Sequence, residues 1–239
     1  MSKTDDLIAA FGKSIAQGDF APGAALPSEA ELCTRFGTSR NIMREVIKVL
    51  STKRLIDAKA HRGLFVAAQK DWHFLDPDVL SWVLEKEPKP ALILSLLEVR
   101  CLIEPVISRW AAERARSVDL VAIEEALSQM TQHAHLHDEA NLNFSLFNKA
   151  DIAFHHAILD AAHNVVMNQL SNAISSLQRT IFILSFSYDK THMESTLLEH
   201  ADLFDAIRKK DALRAETLSR DMIERTAQRA RTTFCSVVS

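Results

Sequence analysis

A mainly α chain in two parts is what this sequence predicts: an N-terminal winged helix-turn-helix, then an all-α antiparallel helical bundle. Three observations carry that expectation. Residues 26–66, LPSEAELCTRFGTSRNIMREVIKVLSTKRLIDAKAHRGLFV, contain two short helical patterns followed by two short apolar runs around a turn. The chain beyond has no Gly after Gly63 and is rich in Leu, Ala and Ile at helical spacing. Basic side chains are concentrated in the first part.

In the first part, Ser28 follows Pro27 and can cap a helix, and Glu31 three residues on completes a capping-box pattern for a helix reaching about Phe36. Gly37 ends it. A second helix starts near Thr38 or Ser39 and buries Ile42, Val46 and Val49 or Leu50 at helical spacing. Arg40, Asn41, Arg44 and Lys48 then share the opposite face. Leu55-Ile56 and Leu64-Phe65-Val66 read as two strands around AKAHRG, where Gly63 permits a tight tip flanked by His61 and Arg62.

That basic face has the chemistry of a DNA reader. Arg40 or Arg44 can pair with guanine and Asn41 with adenine in the major groove, Lys48 can meet phosphate, and His61, Arg62 and Gly63 can reach the backbone or minor groove. The plain alternative is a solvated amphipathic helix beside a hairpin. Charge distribution favours the reader: the net charge of −3 hides 11 Lys and Arg against 7 Asp and Glu in residues 1–70, and 17 against 24 beyond. Within 35–62 the count is 8 against 2, so the surface attracts phosphate.

Length fits a DNA-binding domain at 1–70, a linker at 71–77 and a second domain at 78–239 that is large enough for its own core. Trp72 and Phe74 could latch the two domains together. Helical breaks near Pro88-Pro90, Ser117, His137-Asp138, His163-Asn164, Asp189-Thr191 and Lys210-Asp211 divide the second part into six or seven helices. No apolar run of about 20 residues and no secretory pattern occurs, which predicts a cytoplasmic protein away from the membrane. Cys33, Cys101 and Cys235 are odd in number and widely spaced, so they are expected to be reduced packing residues.

Several polar side chains fall on stripes of the second part that ought to be apolar. Asp151 and His155 are four apart on one helix face, His200 sits between Leu197 and Phe204, and Arg100 occupies the stripe Leu96, Arg100, Ile103, Ile107. Asp and neutral His are ligands for zinc or another divalent metal, and a buried Arg needs an internal acid or an anionic ligand. Equally, Asp151 and His155 can be an ordinary helical pair, His200 a satisfied core histidine and Arg100 the partner of Glu104.

LPSEAEL, TSRNIMREV, the wing RGLFV, and the helices EVRCLIEP, DIAFHHAIL and EHADLFDAI together resemble the GntR-type bacterial transcription regulators of the FCD, or fatty-acid-regulator, subfamily over essentially the full length. The resemblance implies a metal on Asp151, His155 and His200 and an effector carboxylate on Arg100. It departs from the family at Met222, where a His is usual, so the implied site has three protein ligands completed by water or effector oxygens. A second departure is Ala30, where some members carry a DNA-contacting Arg.

ELC, TSRNI-REV, KRLI, LD-DVL-WVLE, RWAAERA and AISSLQR narrow the resemblance to the repressors of D-galactonate catabolism operons. The implied effector is an aldonate such as D-galactonate, with Ser175 and Arg179 as further polar contacts; these two can equally be helix-surface residues. The expected protein is a homodimeric repressor, not an enzyme, on an inverted-repeat operator. Two other readings are a metal-dependent enzyme acting on a sugar acid and a regulator that answers to the metal itself.

Overall fold

The computed structural model describes residues 3–59, 62–85, 89–134, 140–169 and 190–238. The chain divides into two compact units, 1–88 and 89–239. The expected linker at 71–77 therefore lies inside the first unit, and the boundary falls later.

The first unit is built from α1 (Lys3–Ala16), α2 (Glu29–Phe36), α3 (Arg40–Thr52), β1 (Ile56–Lys59), β2 (Gly63–Val66) and α4 (Pro77–Glu85). Ser28 caps α2 in a complete capping box with Glu31, and Gly37 closes that helix in the left-handed region at φ 59°. Ser39 caps α3. The buried face of α3 is Met43, Val46, Ile47 and Leu50, with Ile42 and Val49 half-buried beside it. The expected stripe was therefore rotated from the observed one by about one residue, because two overlapping apolar spacings exist in NIMREVIKVL and the packing of α1 selects one.

The strands pair antiparallel with Ile56 opposite Val66 and Lys59 opposite Gly63. The first strand thus begins one residue later than expected and runs two residues into the turn. Gly63 sits at φ +89°, a conformation that L side chains rarely adopt.

Segment 71–77 belongs here because two interactions hold α4 to the rest. Lys53, the C-cap of α3, places Nζ 2.8 Å from Asp76 and 2.8 Å from Asp78, while Asp76 Oδ1 accepts from the Asp78 and Val79 amides and so caps α4. Trp82, on α4, lies flat against Gly12 of α1, where a Cβ would come within 2.2 Å of the indole. Trp72 is buried too, and its Nε1 donates to the Ala67 carbonyl at 3.0 Å.

The second unit contains six helices among the described residues: α5 (Pro90–Arg114), α6 (Ser117–Ala134), α7 (Ala140–Ala161), α8 (Val165–Asn168), α9 (Lys190–Arg208) and α10 (Ala212–Val238). α5 packs along α10 and α6 along α7, while α9 touches α5, α6 and α10. Their shared core includes Ile123, Met130, Phe147, Phe154, Leu203 and Ile207. α5 runs through Pro105, which removes one backbone donor from its interior. No helix among the described residues is long and apolar enough to cross a membrane.

Gly12→Ala is expected to destabilise the first unit by about 1–3 kcal/mol, since the buried Trp82 ring must shift, although Ala favours the helix by about 0.5–1 kcal/mol. Denaturant unfolding of the variant beside the parent protein measures it; equal stability would show that the indole has room to move.

Candidate functional site

Two regions of the molecule carry exposed or buried polar chemistry that packing alone does not require. The first is on α3. Arg40, Asn41, Arg44 and Lys48 are all exposed and share one face, because their spacing keeps them within about 100° around the helix axis. Arg44 Nε is 2.9 Å from Glu29 Oε1 at the start of α2, an exposed ion pair of little intrinsic stability that phosphate or a base edge can replace. Arg44, Arg62 and Gly63 line one open cleft between α3 and the β-hairpin. His61 lies outside the described residues.

The second region lies inside the helical unit, where α5, α7 and α9 bring five ionisable side chains together. Arg100 and Glu104, one turn apart on α5, are both buried and form a two-pronged ion pair: Nε donates to Oε1, and Nη2 to Oε2 at 3.1 Å. Glu104 Oε2 is also 3.3 Å from His155 Nδ1 on α7. One turn earlier on α7, Asp151 Oδ1 lies 3.9 Å from His155 Nε2 and 3.0 Å from His200 Nε2 on α9. The internal acid that Arg100 requires is thus Glu104, one of the two partners the sequence allowed.

Burial alone would raise the Glu104 carboxyl, but the Arg100 charge and the His155 ring hold it down at about 2. Burial likewise opposes ionisation of Asp151, and His200, His155 and Arg100 outweigh it, so its pKa is lowered. For His200, burial disfavours the imidazolium, yet Asp151 and the Thr196 carbonyl raise its pKa above the usual value.

The donor set suits a divalent cation. One ligand atom from each of Asp151, His155 and His200 lies within 4.8 Å of the others. His200 Nδ1 donates to the Thr196 carbonyl at 2.7 Å, because a carbonyl only accepts, and this leaves Nε2 as the free lone pair of the neutral ring. That Nε2 is buried without a directed hydrogen bond among the described residues: its contact with Asp151 is close but poorly aligned. His155 has the same arrangement, Nδ1 toward a carboxylate and Nε2 toward Asp151. Such outer partners fix the tautomer and orientation of metal-binding imidazoles. Met222 is buried in the apolar core, as a thioether should be.

The sequence identified Arg100, Asp151, His155 and His200, and the structure brings all four into this cluster. It missed that Glu104 links Arg100 to His155, a contact between helices that no spacing within one helix reveals. Thr196 was missed because it acts through its carbonyl, which side-chain identity does not report. Ser175 and Arg179 lie outside the described residues. Cys33 and Cys101 are free and half-buried, in keeping with packing.

Comparison with known proteins decides the family. Residues 3–66 match the model of bacterial regulatory proteins of the gntR family, and residues 95–225 match the FCD domain. The chain belongs to the GntR family. This GntR regulator is 49% identical over 229 residues, 96% of its length and 97% of the relative's, to the galactonate operon transcriptional repressor of Escherichia coli K12. It is 30% identical to the HTH-type transcriptional regulator LutR of Bacillus subtilis over 84% of this chain and 89% of that one. Among solved structures, Lar, which controls expression of the Listeria monocytogenes agr system, shares its fold at a TM-score of 0.69 with 14% identity, covering 97% of this chain and 98% of the other. The chain is therefore a DNA-binding transcriptional regulator with a winged helix-turn-helix and a helical FCD domain, and its relatives are regulators rather than enzymes. Membership implies operator DNA and a small-molecule effector as its partners.

Glu104→Gln should destabilise the helical unit by about 3–5 kcal/mol, because it leaves the Arg100 guanidinium buried without its counter-ion. The depressed Glu104 carboxyl contributes stability that is fully present above its ordinary value of 4.5 and is lost as pH falls toward about 2. Unfolding curves taken across that window should show an acid limb in the parent that is blunted in Glu104→Gln; an identical limb would assign acid sensitivity to other carboxylates.

Proposed function

We propose that this GntR regulator represses genes for the catabolism of a sugar acid and leaves its operator when a carboxylate such as D-galactonate binds the FCD domain. The observation that carries this reading is the 49% identity to the galactonate operon repressor, which extends through the effector-binding part as well as the DNA-binding part. The functional division is a DNA-binding domain at 1–70, which α4 extends structurally, and an effector-binding and dimerisation domain beyond. The regulator acts in the cytoplasm as a homodimer, whose two-fold symmetry requires two matching half-sites.

Arg40, Asn41 and Arg44 read base edges, Lys48 holds phosphate, and Arg62, Gly63 and His61 form the wing contact. Asp151, His155 and His200 hold a divalent cation, for which zinc suits the ligand types; when bound it supplies positive charge for carboxylate or hydroxyl oxygens of the effector. Arg100 keeps donors beyond those used by Glu104 and adds a second positive group for the carboxylate. Ser175 and Arg179 enter this reading from their place in the sequence alone. Effector binding shifts operator affinity only by the difference in its affinity for the DNA-competent and released arrangements.

Fluorescence anisotropy on DNA from upstream of the protein's own gene tests the function. Specific binding relieved by D-galactonate is expected, and specific binding indifferent to it would overturn the effector class. Chelation should weaken the galactonate response while operator affinity is unchanged. That response should also fade as pH drops through the His200 titration, since proton and cation compete for Nε2. An operator affinity that follows chelator, with no response to any sugar acid, would instead make the metal the signal.

In the same assay Lys48→Ala should weaken binding to all sequences alike and reduce the salt slope by about 1. Arg44→Ala should lower preference for the operator over unrelated DNA; unchanged preference would remove Arg44 from the base contacts.

A further inference from the structure

We propose that Asn148 is a specificity-determining residue of the effector site, its carboxamide accepting a hydrogen bond from a hydroxyl of the bound sugar acid. The proposal rests on the sugar-acid reading above and extends it to a residue that neither sequence spacing nor family resemblance singled out. Asn148 is 7% exposed, yet its Oδ1 has no hydrogen-bond partner among the described residues. Buried carboxamides are nearly always satisfied, and an unmet one needs a reason. Elsewhere in the polar cluster Arg100 is met by Glu104, and the unmet Nε2 of His200 has its use as a cation ligand in the reading above.

Position supplies the reason. Asn148 precedes Asp151 by three residues and His155 by seven on α7, so all three project from one face of that helix. The rise of about 1.5 Å per residue sets Asn148 roughly 4.5 Å along the axis from Asp151, on the side away from His155. An aldonate whose carboxylate lies at the Asp151, His155 and His200 end has hydroxyls further along its carbon chain, in the direction of Asn148. Phe147 and Ala150 beside it are fully buried and offer nothing polar. A site that hydrogen-bonds a hydroxyl rejects analogues lacking it, because the protein group is then left unpaired. Asn148 therefore makes the site prefer a polyhydroxy acid to a simple carboxylate.

Two measurements on the full-length protein test this, using Asn148→Leu, which keeps side-chain size and removes the polar atoms. In titration calorimetry the parent should bind D-galactonate more tightly than lactate. The variant should lose roughly tenfold for galactonate, the worth of one hydrogen bond, and little for lactate. Without ligand, Asn148→Leu should melt at or above the parent temperature, since it removes an unmet buried acceptor. Unchanged galactonate affinity in the variant would overturn the role of Asn148 alone. A variant that melts lower without ligand would also overturn it, by showing that the carboxamide is satisfied in solution. A parent that binds neither acid would overturn the sugar-acid reading and this inference together.

Discussion

A run of polar contacts, Arg100 to Glu104 to His155 to Asp151 to His200, crosses the interior of the helical unit and ties α5, α7 and α9 together. Taking any one of these groups out of water costs several kcal/mol, which packing on its own does not return. The cost is offset because each acid is shared: Glu104 faces Arg100 and His155, and Asp151 faces His155 and His200. α5, α7 and α9 are thereby favoured in one mutual register, since sliding one helix by a turn would leave a buried polar group without its partner. Apolar contacts around the cluster, among them Phe154 at 4.9 Å between its ring and that of His200, exclude the water that would otherwise weaken these attractions.

Replacing such a network with well-packed apolar side chains is often neutral or stabilising, so its presence points to use rather than to stability. The tautomers make the use specific. Both imidazoles have Nδ1 tied to a fixed acceptor and Nε2 turned toward Asp151, an orientation that a merely structural pair has no need to share. Arg100 and Glu104 stand behind His155 as an outer layer that fixes the orientation of its ring.

Much of this was legible in the sequence, and for identifiable reasons. The capping box at Ser28 and Glu31, the left-handed Gly37 and the basic face of α3 are local features set by neighbours a few residues apart. Asp151 with His155, and Arg100 with Glu104, are likewise pairs within one turn of one helix. What the sequence left open was decided across elements. Which of two apolar stripes α3 buries depends on its partners, the Glu104 to His155 contact joins residues about fifty positions apart, and Asn148 is notable only because burial leaves its oxygen unmet. The boundary moved for the same reason: Asp76 reads as linker, and Asp78 and Trp82 as the start of the second domain, until Lys53 and Gly12 are found against them.

That last correction changes how a signal can enter the DNA-reading unit. Lys53 ends the recognition helix and grips both acids at the start of α4, with a cation-π contact to Trp82 at 5.7 Å, so α3 and α4 are coupled at their adjoining ends. The chain leaves the first unit from the far end of α4, near Glu85, which is itself paired with Lys13 of α1 at 2.7 Å. A displacement transmitted along the polypeptide therefore acts on a braced helix rather than on a loose tether at the wing. Since α4 is held to α1 by the Trp82 and Gly12 contact and to α3 by Lys53, the first unit responds as a body. In the homodimer proposed above, the spacing of the paired α3 helices, and not the internal geometry of either one, is then the quantity an effector would alter.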